Sequence, residues 1–335
     1  MPLKVSQLPS EEHALLERAA HWPRLRSLSE ISIESLRQLA QSEGADFATA
    51  VAYDRLCRSD AHGPAIARLT AIDTAAVDQP TMSRGTVVIV PGAFHRERAR
   101  QTGADGQVVR DEAERLGYTV VVAPTHSFGS LEENSAIVRS CLAQDFAEPV
   151  VLVSLSKGTA EIKWALGEAA ATQMLRQVSA WVSLSGMWWG SPLVGWLRAR
   201  PIRSWFVRQM LRWNGQDFRV LEQLAYGPAT PLAREVDLPE GVQLLHVAGY
   251  PLERHLCSRM ARRGHRRLSA WGPNDAAGLL LADAGRLPGT VFPVWGADHY
   301  LRPAHEDHRQ LVRRVLLWLH QPRQVKRLST IGAES

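Results

Sequence analysis

The stretch from Val150 to Thr159, Val-Val-Leu-Val-Ser-Leu-Ser-Lys-Gly-Thr, constrains the fold more than any other part of the 335-residue chain. An apolar run stops at small residues and a helical pattern begins, which predicts a strand, a sharp turn and a helix. Ser156 sits at the turn, with Ser154 two residues before it and Gly158 two residues after. A turn that holds its central residue in a strained conformation needs small residues at both positions to avoid clashes. The central hydroxyl then stands clear of the sheet at a helix N-terminus, where backbone N–H groups can hold a developing negative charge. A blander arrangement uses Ser154 and Ser156 only to cap a helix after a buried strand. The rest of the chain decides between the two.

From Thr86 onward, apolar runs alternate with helical patterns. Val87–Val90, bounded by Gly85 and Pro91, has the continuous apolar character of a strand buried on both faces. Tyr118–Val122 reads as another buried strand, and Ala180–Leu184, Leu244–Val247 and Val291–Val294 as further ones. Helical stretches lie near Asp105–Leu116 and Leu131–Leu142, and Val312, Val315, Leu316 and Leu319 mark a closing helix. Such alternation predicts an α/β fold, a mostly parallel sheet with helices on both faces, and puts the Ser156 turn at the C-terminal strand ends where such sheets bind ligands. Residues 1–84 read as a helical N-terminal extension whose apolar stripes, among them Leu36, Leu39, Phe47, Val51 and Leu56, pack on the main domain. Leu69–Ile72 is read as a short edge strand.

At this point the residues carry a resemblance. Ser-Leu-Ser-Lys-Gly resembles the Gly-x-Ser-x-Gly nucleophile elbow of α/β-hydrolases, with Ser154 in place of the first glycine. The resemblance covers about residues 85–320 and implies a lipase-like or esterase-like serine hydrolase whose catalytic residues follow in the order Ser, Asp or Glu, His. His299, in Trp-Gly-Ala-Asp-His-Tyr-Leu after the last strand, is then the expected base, and Asp275, in Gly-Pro-Asn-Asp, the expected acid. Ala276 stands where many members have glycine, and Asp283, Asp298 and Glu253 remain alternative acids. The resemblance places the oxyanion donors at the backbone of Lys157 and of Ala93 or Phe94, in the Pro-Gly-Ala-Phe-His loop after the first buried strand. His126, Trp188 and Trp189 are the expected substrate contacts. Ser185 is set aside as nucleophile because Met187 breaks its elbow spacing, and His305 and His308 are read as surface residues. Lys157, a cation opposing the helix dipole, is read as a surface lysine or as a contact for an anionic substrate group.

The expected substrate is an ester or thioester, cleaved through an acyl-enzyme. An acyltransferase using the same serine, or a non-catalytic binding or scaffold protein on the same sheet, are the alternatives. No metal or organic cofactor is implied. Residues 186–240 exceed what a crossover needs and form a lid-like insertion, while residues 321–335 form a C-terminal tail. Within the insertion, Ile202, Trp205, Phe206, Gln209, Met210 and Trp213 share one helical side, with Arg203, Arg208 and Arg212 elsewhere. Three arrangements suit that aromatic face: packing on the sheet edge, covering an apolar acyl pocket, or weak peripheral contact with a membrane. The net charge of +5 is small and dispersed, and without zinc-finger spacing or a dense basic block nucleic acid is not an expected partner. Cys57, Cys141 and Cys257, odd in number and far apart, read as free thiols. With no apolar leader and no run of the ~18 residues a membrane span needs, a cytoplasmic location is expected. Oligomeric state is not legible.

Overall fold

Apolar β-branched residues buried on both faces of a pleated strand give a parallel sheet, and the computed structural model has one. It describes residues 8–75, 84–167, 171–213, 215–216, 218–280, 287–302 and 307–320. The strands are β1 (Thr86–Val90), β2 (Thr119–Val122), β3 (Val150–Leu155), β4 (Val178–Leu184), β5 (Gln243–Tyr250) and β6 (Thr290–Trp295). Among the described residues they form one sheet in the order β2-β1-β3-β4-β5-β6 with every neighbouring pair parallel. The chain steps from β1 outward to β2 and returns to β3 on the other side of β1. The strand order therefore reverses between β1 and β3, and a crevice opens there at the C-terminal strand ends. Val90 pairs with Ser154 in register, so the loop after β1 and the turn after β3 leave the sheet side by side.

The helices follow the amphipathic patterns. Before the sheet come α1 (Ser10–Ala20), α2 (Ile33–Glu43), α3 (Ala45–Arg58) and α4 (Gly63–Thr70). Among the strands lie α5 (Ala99–Thr102), α6 (Gln107–Arg115), α7 (Leu131–Leu142), α8 (Lys157–Leu166) and α9 (Ala171–Met174). Next are α10 (Pro192–Arg198), α11 (Pro201–Trp213), α12 (Arg219–Gln223), α13 (Arg259–Leu268) and the closing α14 (His308–Leu319). Capping boxes start α2 at Ser32 and α7 at Ser130, each hydroxyl accepting from the backbone three residues on.

Two expectations are corrected. Leu69 and Thr70 end α4 rather than forming an edge strand: Pro64 opens this helix, and Ala65, Ile66 and Leu69 recur at helical spacing on its buried side. β2 is no buried strand but the sheet edge, with Thr119 exposed and Val120–Val122 half-buried.

The N-terminal helices share a core with β5 and β6. Phe47, Val51 and Leu56 of α3 are buried in the same cluster as Leu245, Val247 and Val294. The Tyr53 ring lies 4.9 Å from that of Trp295 and 5.9 Å from that of Tyr250. Glu12 of α1 is buried there, where its carboxylate accepts from Trp295 Nε1 at 2.7 Å and lies 3.0 Å from His255 Nε2 and 3.2 Å from the Arg254 guanidinium. A buried carboxylate persists only when so paired. Replacing Glu12 by Ala leaves the indole N–H unpartnered, and the urea midpoint should fall by an amount equivalent to about 1–3 kcal/mol with unchanged slope.

Candidate active site

The turn after β3 is as strained as its sequence implies. Ser156 has φ 48° and ψ −110°, a region few non-glycine residues enter. Close approach explains the glycines around it: a Cβ on Gly158 would lie 2.5 Å from the carbonyl oxygen of Val90, and one on Gly92 2.9 Å from that of Leu155. Ser154, at the position of the missing first glycine, has its own explanation. Its buried Oγ accepts from Trp181 Nε1 at 2.8 Å and lies 2.7 Å from Thr159 Oγ1, which is 3.0 Å from Ser183 Oγ. This polar seam satisfies an indole N–H that a glycine would leave bare.

Two loops converge on the Ser156 hydroxyl. The loop after β6 brings His299 Nε2 within 2.8 Å of Ser156 Oγ, and His299 Nδ1 is 2.8 Å from Asp275 Oδ2. Asp275 lies in a turn between α13 and β6, where its other oxygen accepts from the backbone of Ala277 at 2.9 Å and Gly278 at 2.7 Å. The loops are tied directly, because the His299 N–H donates to the Asp275 carbonyl at 2.9 Å. Ala276, the departure from the glycine of many α/β-hydrolases noted in the sequence, adopts φ 82°, and its N–H donates to Asn274 Oδ1 at 3.1 Å.

The electrostatics follow from burial and pairing. Burial alone would drive the Asp275 carboxyl upward, but the His299 ring and the two amides outweigh it and hold its pKa below the usual value. Burial alone would likewise depress His299, but the Asp275 carboxylate, helped by Asp298, leaves its pKa above 6.5.

Of the alternative acids, Asp298 turns its Oδ1 to the amides of Tyr300 and Arg302, and Glu253 pairs with Arg266. Asp283 and His305 lie outside the described residues, as does the 321–335 tail. Ser185 is buried at the end of β4 with φ 45° and an unpartnered Oγ.

A cleft of about 700 Å³ opens beside Ser156, walled by Ala93, Phe94, Leu155, Leu184, Met187 and Leu301. Phe94, with φ 63°, packs edge-on against Phe128 at 4.5 Å, and His95 Nδ1 braces the loop 2.9 Å from the Gly92 carbonyl. Three expected substrate contacts are not in this cleft. Trp188 and Trp189 line a neighbouring cavity that Asp275 and His299 also line, and the His126 side chain is exposed. Conversely, His308 was read as a surface residue but lines the cleft, with Nε2 buried and unpartnered. His308 is the first residue of α14, the helix that follows the His299 loop.

Lys157 requires a correction as well. It is buried, not a surface lysine, and pairs with the buried Glu161 one turn along α8, its Nζ also donating to the His126 carbonyl at 3.3 Å. The i,i+4 spacing of Lys157 and Glu161 was the overlooked clue. Glu161 also accepts from Asn134 Nδ2 at 2.6 Å.

No protein-family model and no curated protein matches the sequence. Solved structures do. A carboxyl esterase recovered from a metagenome superposes with a TM-score of 0.54 at 20% identity, over 86% of this chain and 90% of that one. The chain has the α/β-hydrolase fold. The mature lipase BlEst2 of Bacillus licheniformis matches with a TM-score of 0.47 at 19% identity, over 72% of this chain and 92% of that one.

The buried ion pair yields a test by denaturation. Lys157→Met alone strands the Glu161 charge and should cost about 3–5 kcal/mol, whereas Lys157→Met with Glu161→Leu should recover most of that loss.

Proposed function

We propose that the protein hydrolyses a carboxylic ester or thioester through an acyl-enzyme formed on Ser156. The reading rests on one observation above all, the unbroken chain from Ser156 Oγ through His299 to Asp275 with both links at 2.8 Å, beside an apolar-walled cleft. A serine hydroxyl is a weak nucleophile until a neighbouring base takes its proton. His299 Nε2 takes that proton as Ser156 Oγ attacks the carbonyl carbon. Asp275 keeps the proton of the imidazole on Nδ1, which leaves Nε2 free to accept, and stabilises the imidazolium that forms.

Negative charge then grows on the carbonyl oxygen. The backbone N–H of Lys157 at the start of α8, and that of Ala93 or Phe94, are the donors assigned to it. When the tetrahedral adduct collapses, His299 returns its proton to the departing alcohol or thiol. Water activated by the same imidazole cleaves the acyl-enzyme, restoring the Ser156 hydroxyl and releasing the acid. The apolar wall of Leu155, Leu184, Met187 and Leu301 suits a hydrocarbon acyl or alcohol group.

Two experiments test this. A fluorophosphonate probe should label the protein and not Ser156→Ala, and Ser156→Ala or His299→Ala should lower kcat/KM on a soluble ester by at least about a thousandfold. Labelling that persists in Ser156→Ala would sink the assignment.

The pH profile supplies the second. The active form of His299 is the neutral base, so kcat/KM should climb with pH through an apparent pKa above 6.5 and be lost as pH falls below it. Asp275→Asn removes the carboxylate that raises this pKa. Its midpoint should move to lower pH and its plateau should drop by roughly ten-thousandfold.

A further inference from the structure

The segment between β4 and β5 holds a helix turned the wrong way round for a globular protein. An amphipathic helix ordinarily buries its apolar side. On α11 the positions drawn inward are Ser204, Val207, Gln209 and Leu211, whereas Ile202, Trp205, Phe206, Met210 and Trp213 face solvent, Trp213 being 85% and Ile202 73% exposed. Exposed aromatic area on this scale marks an interaction surface.

We propose that α11, with the arginines around it, is a docking surface for an anionic lipid bilayer. Charge selects the occupant. From Ala169 to Gln216 the sequence contains no aspartate or glutamate, yet it carries Arg198, Arg200, Arg203, Arg208 and Arg212 on and beside α11. α13, which packs on α10, adds a second acid-free run containing Arg263 and Arg267. The two meet around one indole: the guanidiniums of Arg200, Arg203 and Arg267 lie 4.0, 4.9 and 3.9 Å from the Trp196 ring. Burial first, and then the neighbouring Arg203, Arg263 and Arg200, depress the pKa of Arg267.

So dense a cationic rim repels a second copy of itself, which argues against a symmetric dimer through this face. Anionic headgroups neutralise it, while the indoles of Trp205 and Trp213 and the ring of Phe206 enter the boundary between headgroups and acyl chains. No helix among the described residues is long and apolar enough to cross a bilayer. Gln216, just beyond α11, donates to Glu97 at 3.4 Å in the segment that follows the Pro91–His95 loop. Docking through α11 therefore brings the Ser156 end of the sheet near the lipid.

The proposal does not require the hydrolase reading, so binding is measured on the full chain carrying Ser156→Ala. The probe is cosedimentation with vesicles of phosphatidylcholine alone or mixed equally with phosphatidylglycerol. Binding to the mixed vesicles should exceed binding to the neutral ones at least tenfold and weaken as salt rises. Trp205→Ala with Trp213→Ala should reduce it at least tenfold, and Arg203→Gln about fivefold. These side chains are exposed or on the rim, so the thermal midpoint and, in the Ser156 background, hydrolysis of a soluble short-chain ester should stay unchanged. Three results overturn the proposal: no binding to the anionic vesicles, binding indifferent to the tryptophan pair, or a dimer dissolved by that pair with no vesicle binding. If vesicles bind and no ester is ever cleaved, the catalytic reading fails and this one stands.

Discussion

The backbone strain at Ser156 is the constraint on which the rest of the site depends. A residue held at φ 48° persists only where its surroundings over-determine it. Three contacts do so here. The Ser156 N–H donates to the Leu184 carbonyl at 3.0 Å, the Ser156 carbonyl accepts from Met187 at 3.0 Å, and Gly158 sits too near the Val90 and Pro91 carbonyls for any Cβ. The turn is thereby wedged between the ends of β1 and β4. Beneath it the hydroxyls of Ser154, Thr159 and Ser183 form a satisfied polar seam inside an otherwise apolar layer. A half-satisfied seam would be worse than none, and the Trp181 indole completes this one by donating to Ser154.

The imidazole must then be held against the strained hydroxyl, and here the N-terminal helices enter. His299 leaves the sheet four residues after Trp295, at the end of edge strand β6. An edge strand has one unpaired side and needs cover. Tyr53 and Glu12 meet Trp295 by ring contact and by hydrogen bond, and the Val291 N–H donates to His62 Nδ1 at 3.3 Å. The helices before the sheet thus brace the strand from which the His299 loop leaves, which gives them a physical role beside the hydrogen-bonded Ser156, His299 and Asp275.

How much of this was legible depended on whether a contact was local in sequence. The strand-turn-helix around Ser156 could be read because its steric demands fall within five residues, and the sheet because buried parallel strands are continuous apolar runs. Asp275 and His299 could be placed only through the resemblance, since their convergence is set by loops more than a hundred residues from Ser156. The sequence misled where burial decides the meaning of a polar residue. Lys157 looks like a surface cation, and only its pairing with Glu161 makes it an interior one. His308 begins a helix, which suggests solvent, yet that helix starts at the cleft wall. Trp188 and Trp189 line a cavity shared with Asp275 and His299, and no local pattern reports which of two adjoining cavities a side chain enters.

The segment from residue 186 to 240 is both anchored and outward-facing. Its two ends are held by α8 through a buried lysine. Lys163 Nζ donates to the carbonyls of Trp188 at 3.1 Å and Leu232 at 2.7 Å, and lies 3.8 Å from the Trp189 ring. Burial, abetted by Arg234, pulls its pKa down to about 7, as expected of an ammonium solvated by carbonyls and an aromatic face instead of a carboxylate. Gln223 supplies a further tie, its Oε1 accepting from the Leu131 N–H at the start of α7. Every one of these anchors uses residues outside α11, and none of them reaches its aromatic side. The polar ties satisfy the Trp188 and Leu232 carbonyls and the Gln223 side-chain oxygen, and they hold the segment to α8 and α7 without using α11.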